Sequence, residues 1–312
     1  MSVPDVASAG ETAYRLLAAR AVSIRRFPTG SCHWVFDVQL ETGNSVVLRM
    51  TTASLRPAMH GALLMNELLR PKGVPLPRLL HADLNGQFPT LVLERLAGTD
   101  LTHVMRELDD SMLEAIADRV AAAQEVVASL PSAGHYGYAV EAAAAPCASW
   151  PDFLGSSLER SRCRLSENGL FSLKYADRVE ALLEEVQLMA SHIEAVPFLH
   201  DTTTKNVIIT SEGRFSGIVD VDDLCWGDPR FAPALTLASM QAFEGPRHYV
   251  AAWLRRAGFK DDRLFRTYVA LCALDLVAEQ GKVFNGNEVK ADAEQQAHLL
   301  AALECALEQH RS

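Results

Sequence analysis

The sequence predicts an α+β fold with two lobes, a small lobe with an antiparallel sheet over residues 1–97 and a larger helical lobe over 98–312. A chain of 312 residues exceeds what one small hydrophobic core needs, so two lobes are expected. Before Gly98, short segments rich in β-forming residues surround one helical pattern. After Gly98, long stretches rich in Ala, Leu and Glu have helical spacing, which sets the boundary.

The N-terminal lobe is predicted to be a small sheet with one helix against it. Residues 34–40 alternate between apolar and polar side chains, the turn ETGN follows, and 46–50 form a second strand. Residues 58–70 then place several leucines on one helical face. Two more short strands are predicted at 78–82 and 90–95.

The C-terminal lobe is predicted to be helical, with one hairpin inside it. Residues 101–130 and 175–192 have the composition and spacing of helices. A hairpin is expected over 207–223, and the helical pattern then resumes to the end. Residues 140–175 show no clear pattern.

The composition limits the classes of partner. A formal net charge of −10 disfavours nucleic acid, which requires clustered Lys and Arg, and it suits a cationic substrate, although many soluble proteins are equally acidic. The six cysteines contain no C-x-x-C pair. The start of the chain has no secretory pattern, and no apolar run approaches the ~20 residues of a membrane span. We therefore expect a cytoplasmic protein without a membrane partner.

The segment 198–230 contains the residues best suited to chemistry. It places Asp201, Asn206 and Asp220 around two strands joined by the turn SEGR. Because such strands run antiparallel, Asn206 before the first and Asp220 after the second return to the same end. Carboxylate and amide oxygens suit Mg²⁺, and a further carboxylate can orient a hydroxyl for phosphoryl transfer. The alternative is that these residues only form turns and caps of a hairpin.

The family pattern is roughly H-G-D-x-x-x-x-N followed by I-D-x-x-D-x-x-x-x-G-D-P. Asp201 and Asn206 meet the D-x-x-x-x-N step, and Ile218 or Val219, Asp220, Asp223 and the run Gly227-Asp228-Pro229 meet the second block. The segment therefore resembles the catalytic and metal-binding loops of the aminoglycoside phosphotransferase family, whose members have a two-lobed, protein-kinase-like fold. The resemblance implies that Asp201 orients or deprotonates the acceptor hydroxyl. It also implies that Asn206 and Asp220 bind metal ions, and that Asp228 has a structural role in bracing the catalytic loop.

The catalytic loop departs from the family pattern at its histidine. The family usually has His two residues before the catalytic Asp, where this chain has Leu199, and His200 lies directly before Asp201. The position two residues after that Asp is Thr203. The loop is therefore expected to be braced differently, and Lys205 is expected to approach a phosphate.

The N-terminal lobe carries a second group of matches. The stretch GSCH resembles the family's abbreviated phosphate-covering loop, so Ser31 and His33 are expected near the nucleotide phosphates. Arg49 occupies the place of the strand lysine that holds the α- and β-phosphates, and its fork suits phosphate oxygens. Glu67, in the following helix, is the expected ion-pair partner of Arg49, the alternative being a solvated helix face.

The strand LVLERLAGTDL at 91–101 resembles the hinge between the lobes. Main-chain groups from Glu94 to Leu96 are expected to contact the adenine edge, with Gly98 allowing the chain to turn. The implied cofactors are ATP, with GTP as the alternative, and Mg²⁺. The matching parts occur in the family's order over roughly residues 25–235.

The acceptor is expected to be a small molecule. The chain has neither the A-P-E segment of protein kinases nor the G-x-x-x-x-G-K-[ST] loop of P-loop kinases. Asp222, Asp223, Asp275 and Glu279 are candidates for binding a cationic group. Asp275 and Glu279 are four residues apart on one helix face, although buried and capped, or solvated, carboxylates would give the same pattern.

Three functions are compatible with this sequence. The first is a kinase that phosphorylates a hydroxyl of an aminoglycoside or related antibiotic. The second is a metabolite kinase of the choline, ethanolamine, homoserine or sugar type on the same fold. The third is a nucleotide-binding protein without catalysis, against which the intact Asp201, Asn206 and Asp220 argue. The sequence does not predict an oligomeric state.

Overall fold

An antiparallel sheet forms the N-terminal lobe of this computed structural model, which describes residues 3–27, 33–243, 245–284, 287–288 and 292–310. The strands are β1 (Ala21–Arg26), β2 (Trp34–Leu40), β3 (Ser45–Met50), β4 (Leu79–Asp83) and β5 (Thr90–Glu94). They lie side by side in the order β1–β2–β3–β5–β4. The predicted hairpin and the two later strands are confirmed.

One face of the sheet packs against helix α1 (Val6–Leu17). Phe36 of β2 and Leu48 of β3 are fully buried there together with Ala9 and Ala13. Alternation along β2 and β3 creates this apolar face. The sequence pattern did not predict α1 or β1. The strand β1 lies at the edge of the sheet with mostly exposed side chains, so it lacks the alternation that marks β2.

The other face packs against helix α2 (Arg56–Leu69), which confirms the helix predicted over 58–70. Met59 of α2 is buried with Leu91 of β5. Arg49 of β3 alternates with the residues that face α1, so its side chain lies on the α2 side of the sheet. This placement directs Arg49 towards the cleft between the lobes.

The C-terminal lobe is a helical assembly built around one buried helix, α9, which packs against the helices α5, α6, α7 and α10 defined here. The helices are α3 (Leu101–Val104), α4 (Asp110–Ala128), α5 (Trp150–Asn168), α6 (Lys174–Ala190), α7 (Phe231–Ala242), α8 (His248–Ala257), α9 (Arg263–Ala278) and α10 (Ala293–Glu308). Within the described ranges, no helix is both long enough and apolar enough to cross a bilayer.

The helices of this lobe differ from the sequence-based expectation in two places. The single helix predicted over 101–130 is interrupted, because Asp109 caps α4 by accepting a hydrogen bond of 2.9 Å from the Met112 amide. The stretch 140–175, which showed no pattern, contains α5, whose start is capped by Ser149. Polar residues dominate α5, so its apolar stripe is too narrow to stand out in the sequence.

Short strands carry the functional loops of the C-terminal lobe. They are β6 (Thr99–Asp100), β7 (Gly137–Ala139), β8 (Val196–Phe198), β9 (Val207–Ile209), β10 (Phe215–Ile218), β11 (Leu224–Gly227), β12 (Val283–Phe284) and β13 (Asn287–Glu288). The first small sheet has the order β10–β9–β6, the second β7–β11–β8, and β12 pairs with β13. The predicted hairpin over 207–223 is thus confirmed as β9 and β10.

The chain passes between the lobes at Gly98. Its φ is +108°, and a Cβ there would lie 1.8 Å from the carbonyl oxygen of Ile209, so only glycine fits. The N-terminal sheet ends at Glu94, and β6 begins at Thr99 and already pairs with β9. The boundary between residues 97 and 98 stays a prediction.

Helix α2 also contacts the C-terminal lobe. Met65 and Leu69 are buried together with Ile218 and Trp226. A Cβ added at Gly61 would lie 2.5 Å from the carbonyl oxygen of Asp222. The helix backbone therefore approaches the 219–223 segment more closely than any side chain allows.

We expect Gly61→Ala to destabilise the protein by about 1–3 kcal/mol, because the added methyl group collides with backbone that cannot yield cheaply. Gly155→Ala is the matched control, since Gly155 also lies inside a helix but a Cβ there meets no atom within 4 Å. The free energy of unfolding of the Gly155→Ala variant should rise by up to about 1 kcal/mol, because alanine favours the helix more than glycine does. Urea unfolding of both variants measures the difference, and equal stability would refute the close approach.

Candidate active site

The loop between β8 and β9 presents Asp201 to the cleft between the lobes. Thr203 Oγ1 donates a hydrogen bond of 2.7 Å to Asp201 Oδ1, and Lys205 Nζ lies 3.3 Å from Oδ2. Burial opposes ionisation of Asp201, but the charges of Lys205 and His200 and these hydrogen bonds hold its pKa below its ordinary value. Asp201 is therefore an anion at neutral pH.

The same loop is held from behind by Gln124 of α4. Gln124 Nε2 donates to the Leu199 carbonyl at 2.8 Å and to Thr202 Oγ1 at 3.2 Å. The Leu199 amide donates to Gln124 Oε1 at 2.9 Å. A further contact joins the hydroxyl groups of Thr204 and Thr102, 2.9 Å apart. These hydrogen bonds hold the loop in place without a histidine at position 199.

Asn206 and Asp220 meet at one end of the β9–β10 hairpin, as predicted. The Val219 amide donates to the Asn206 carbonyl at 2.9 Å, so Asp220 follows directly after the paired position. Asn206 Nδ2 donates to the Asp201 carbonyl at 3.0 Å, which leaves Oδ1 as its acceptor atom. Asp220 has a φ of +65°, unusual for a residue other than glycine. Strained backbone of this kind is often found at functional sites.

The residues present fit Mg²⁺ bound partly by a substrate. Asp220 and Asn206 offer a carboxylate and an amide oxygen, which are hard ligands. Among the described residues, no group of three or more His, Cys, Asp and Glu side chains could hold a metal alone. Mg²⁺ commonly takes one or two protein ligands and completes its shell with phosphate oxygens and water.

Arg49 joins the N-terminal sheet to the 219–223 segment. Its Nη2 lies 2.5 Å from Asp220 Oδ1, and its Nη1 lies 2.5 Å from Asp222 Oδ1. His33 Nε2 lies 2.9 Å from Asp222 Oδ2. Burial opposes ionisation of Asp222, but Arg49 and His33 hold its pKa far below its ordinary value.

The predicted ion pair between Arg49 and Glu67 is wrong. Glu67 is exposed, two positions beyond Met65, whose side chain is buried, so it points away from the sheet. Arg49 is paired with Asp220 and Asp222 instead, within the part of the chain that the structure describes. The geometry does not support a nucleotide-binding role for Glu67.

The remaining nucleotide contacts stay predictions. His33 is directed to Asp222, and Ser31 lies outside the described residues. In the predicted hinge, the Glu94 amide donates to the Arg78 carbonyl at 2.8 Å, and the Leu96 carbonyl accepts from Arg95. These two main-chain groups are occupied within the protein, so an adenine contact would use other groups of this stretch.

His200, directly before Asp201 in the chain, forms an ion pair with Asp223. His200 Nε2 lies 2.8 Å from Asp223 Oδ1, and the imidazole packs against Tyr138 with ring centroids 4.6 Å apart and the ring planes tilted by 58°. Burial lowers the pKa of His200, but Asp223, and then Asp201 and Asp222, raise it above its ordinary value overall. Asp223 is thus paired with a cation of the protein itself.

Asp275 and Glu279 lie together on α9 but are not free carboxylates. Asp275 Oδ1 accepts from Ser161 at 2.8 Å and from Arg164 at 2.9 Å. Arg164 also reaches Glu279 Oε1 at 3.3 Å, and Arg160 lies 3.5 Å from Asp275 Oδ2. The prediction that these carboxylates bind a cationic substrate is not supported, because they already form ion pairs with Arg160 and Arg164 of helix α5.

Asp228 has a structural role different from the one the resemblance implies. Its carboxylate accepts from Arg230 Nη2 at 2.7 Å and from the Tyr268 hydroxyl at 2.9 Å. Trp150 Nε1 donates to the same tyrosine hydroxyl at 2.7 Å. Asp228 therefore ties β11 to helices α5 and α9, and its hydrogen-bond partners lie outside the catalytic loop.

Sequence reasoning missed Gln124 and Arg160. A signal existed for Gln124, which is a polar residue within the apolar run AAAQEVVA. Arg160 lies in the polar sequence of α5 and has no local feature that distinguishes it from its neighbours.

Gln124→Leu should destabilise the protein by about 1–3 kcal/mol, because it leaves the buried amide and carbonyl of Leu199 without partners. The control is Gln187→Leu, at an exposed position of helix α6, which should change stability by less than about 0.5 kcal/mol. Chemical denaturation measures both values. Similar effects for the two variants would show that Gln124 does not hold the loop.

The His200–Asp223 pair predicts a stability term that depends on pH. A raised pKa means that the folded state binds the proton of His200 more tightly than the unfolded state does. This stabilisation is complete below about pH 6.5 and is lost as pH rises through the raised value. His200→Gln should therefore cost about 1 kcal/mol near pH 6 and less near pH 9. Asp223→Asn should show the same trend, and a cost independent of pH in both variants would refute it.

Known proteins resemble this chain in both sequence pattern and fold. The phosphotransferase enzyme family model matches residues 23–271, whereas no curated protein sequence is significantly similar. A thermostable mutant of the aminoglycoside phosphotransferase APH(4)-Ia, in a ternary complex with ADP and hygromycin B, is 15% identical with a TM-score of 0.69, over 98% of this chain and 99% of that one.

Two other solved structures are similar over nearly all of their length. The streptomycin–ATP–APH(2")-IIa ternary complex is 13% identical with a TM-score of 0.66, over 99% of both chains. A putative fructosamine-3-kinase from Thermobifida fusca is 16% identical with a TM-score of 0.63, over 97% of this chain and 100% of that one. These likenesses confirm the predicted α+β, protein-kinase-like fold. Because the family match extends over far more than half of the chain, the protein belongs to the phosphotransferase enzyme family.

Proposed function

We propose that the protein is a small-molecule kinase that transfers the γ-phosphoryl group of a nucleoside triphosphate to an alcohol. The observation that carries this proposal is the meeting of Asp201, Asn206 and Asp220 at one end of the β9–β10 hairpin, with Arg49 reaching Asp220 from the other lobe. Phosphoryl transfer depends on positioning and on neutralising phosphate charge, which this set of groups provides. Similar folds that bind ADP or ATP support the nucleotide.

Each side chain then has a role in the proposed reaction. The acceptor oxygen attacks the γ-phosphorus, the bond to the β,γ-bridging oxygen breaks, and the nucleoside diphosphate leaves. Because its pKa is held low, Asp201 orients the hydroxyl first and receives its proton late. Asn206 and Asp220 would hold Mg²⁺, which neutralises phosphate charge when bound. Lys205 lies close enough to add a positive charge beside Asp201.

The acceptor is the point on which two candidate functions differ. An aminoglycoside or related antibiotic is a polycation and calls for carboxylates free to bind it. Asp222, Asp223, Asp275 and Glu279 are instead paired with cations of the protein itself. This pairing favours a metabolite kinase, and the similarity to a putative fructosamine-3-kinase supports that candidate.

The proposal predicts different effects for two substitutions. Asp201→Asn should lower turnover about 10²–10⁴-fold while leaving nucleotide affinity nearly intact, because it removes the base but no phosphate contact. Asp220→Ala should also weaken Mg²⁺-dependent nucleotide binding. Nucleoside diphosphate release and calorimetric titration with Mg-ATP or Mg-GTP measure the two properties, with aminoglycosides, amino alcohols, sugars and hydroxy acids as acceptors. An Asp201→Asn variant that keeps most of its activity would exclude the assigned base.

A further inference from the structure

Helix α5 presents two arginines to the acidic residues Asp275 and Glu279. Arg160 and Arg164 are four residues apart, so they lie on the same helix face, opposite Asp275 and Glu279 of α9. The two pairs of opposite charge form a patch, which we call the α5–α9 patch and define by these four residues. Sequence reasoning predicted only the acidic half of it.

The two arginines differ in how firmly they are held. Arg164 contacts both carboxylates, at 2.9 and 3.3 Å, and its side chain is only 16% exposed. Arg160 lies 3.5 Å from Asp275, and its side chain is 38% exposed. Ser161 and Arg164 already satisfy Asp275 Oδ1. The guanidinium of Arg160 therefore has donors that can turn to a ligand while Asp275 keeps its other partners.

Two ring contacts and one charge interaction relate the α5–α9 patch to the loop that carries Asp201. Phe153, seven residues before Arg160 on the same helix, packs edge-on against Tyr138 with ring centroids 5.1 Å apart. Tyr138 in turn packs at a tilt against His200, with ring centroids 4.6 Å apart. On the other side, burial and Asp275 raise the pKa of Glu279, while Arg164, Lys205 and Arg160 oppose the shift. The patch is thus close enough to Lys205, which contacts Asp201, for their charges to interact.

The charges around the site favour an anion there over a cation. Every carboxylate predicted to attract a cationic substrate has a cationic partner of the protein itself. Among the described cations near these carboxylates, Arg160 and Lys205 have the most exposed side chains, 38% and 54%, although Arg160 also lies 3.5 Å from Asp275 and Lys205 lies 3.3 Å from Asp201. A planar guanidinium matches a carboxylate with two parallel hydrogen bonds.

We infer that the alcohol phosphorylated by this protein carries a carboxylate group, which Arg160 binds while Asp201 orients the hydroxyl. The acceptor class is therefore a hydroxy acid. This inference rests on the proposed kinase function, and it adds a specificity residue that the motifs do not contain.

The test compares acceptors that differ only in the acidic group. The pairs are D-pantothenate and D-pantothenol, D-gluconate and D-glucitol, and glycerate and glycerol. Nucleoside diphosphate release with Mg-ATP should give a kcat/KM at least about tenfold higher for the acidic member of the best pair. Preference for the neutral member, or for an aminoglycoside, would overturn the inference while leaving the kinase function intact.

Substitution of Arg160 identifies the residue responsible. Arg160→Gln should lower kcat/KM for the acid about tenfold or more, mainly through KM, and should change the neutral alcohol much less. Arg164 still compensates Asp275 in this variant, so it should fold, which circular dichroism checks. The control is Arg162→Gln on the same helix, where the side chain pairs with Glu180 instead. Equal losses for acid and neutral alcohol in Arg160→Gln would contradict a carboxylate contact.

A direct binding measurement decides the case in which no pair is turned over. Saturation-transfer NMR with the protein and Mg-ADP should detect D-pantothenate or D-gluconate, and Arg160→Gln should reduce the signal relative to Arg162→Gln. Binding of the neutral members alone, or no effect of Arg160→Gln, would overturn the inference. The proposed function fails separately, if Mg-ATP does not bind or if Asp201→Asn leaves all nucleotide consumption unchanged.

Discussion

The contact of Arg49 with Asp220 and Asp222 is the interaction on which the site depends. Arg49 projects from the central strand β3, and the two carboxylates lie on the segment that joins β10 to β11. One guanidinium therefore fixes the N-terminal sheet relative to the end of the hairpin that carries Asn206 and Asp220. A partly buried arginine between two carboxylates is held by strong, charge-assisted hydrogen bonds. The close packing of Gly61 against Asp222 leaves little freedom for either lobe to slide.

The loop between β8 and β9 shows how a buried loop is held in place by a side chain from a distant helix. Its buried amides and carbonyls must find partners, because unpaired buried groups are costly. Here a single glutamine of α4 satisfies both main-chain groups of Leu199, which frees His200 to pair with Asp223. His200 therefore does not support the loop and lies next to Asp201 in an ion pair with Asp223.

Charge compensation is the feature that separates this cleft from an acidic, cation-binding one. The chain has a net charge of −10, yet the carboxylates nearest the catalytic loop are each matched by an Arg or His of the protein. Net charge describes the field at long range, whereas specificity depends on the contacts that individual groups at the site can make with a ligand. The overall acidity of the chain therefore gives little information about the acceptor.

The sequence by itself determined the fold class, the order of the functional segments and the identity of Asp201, Asn206 and Asp220 as candidate site residues. Strand alternation and the spacing of a hairpin are local properties, so they can be read along the chain. The partners of Arg49, the bracing by Gln124 and the arginines opposite Asp275 were decided only by the tertiary structure. The contacts of Arg49 and of the arginines join residues more than a hundred positions apart, and Gln124 and Leu199 are 75 positions apart. No local sequence pattern specifies how helices and strands so far apart in the chain pack together.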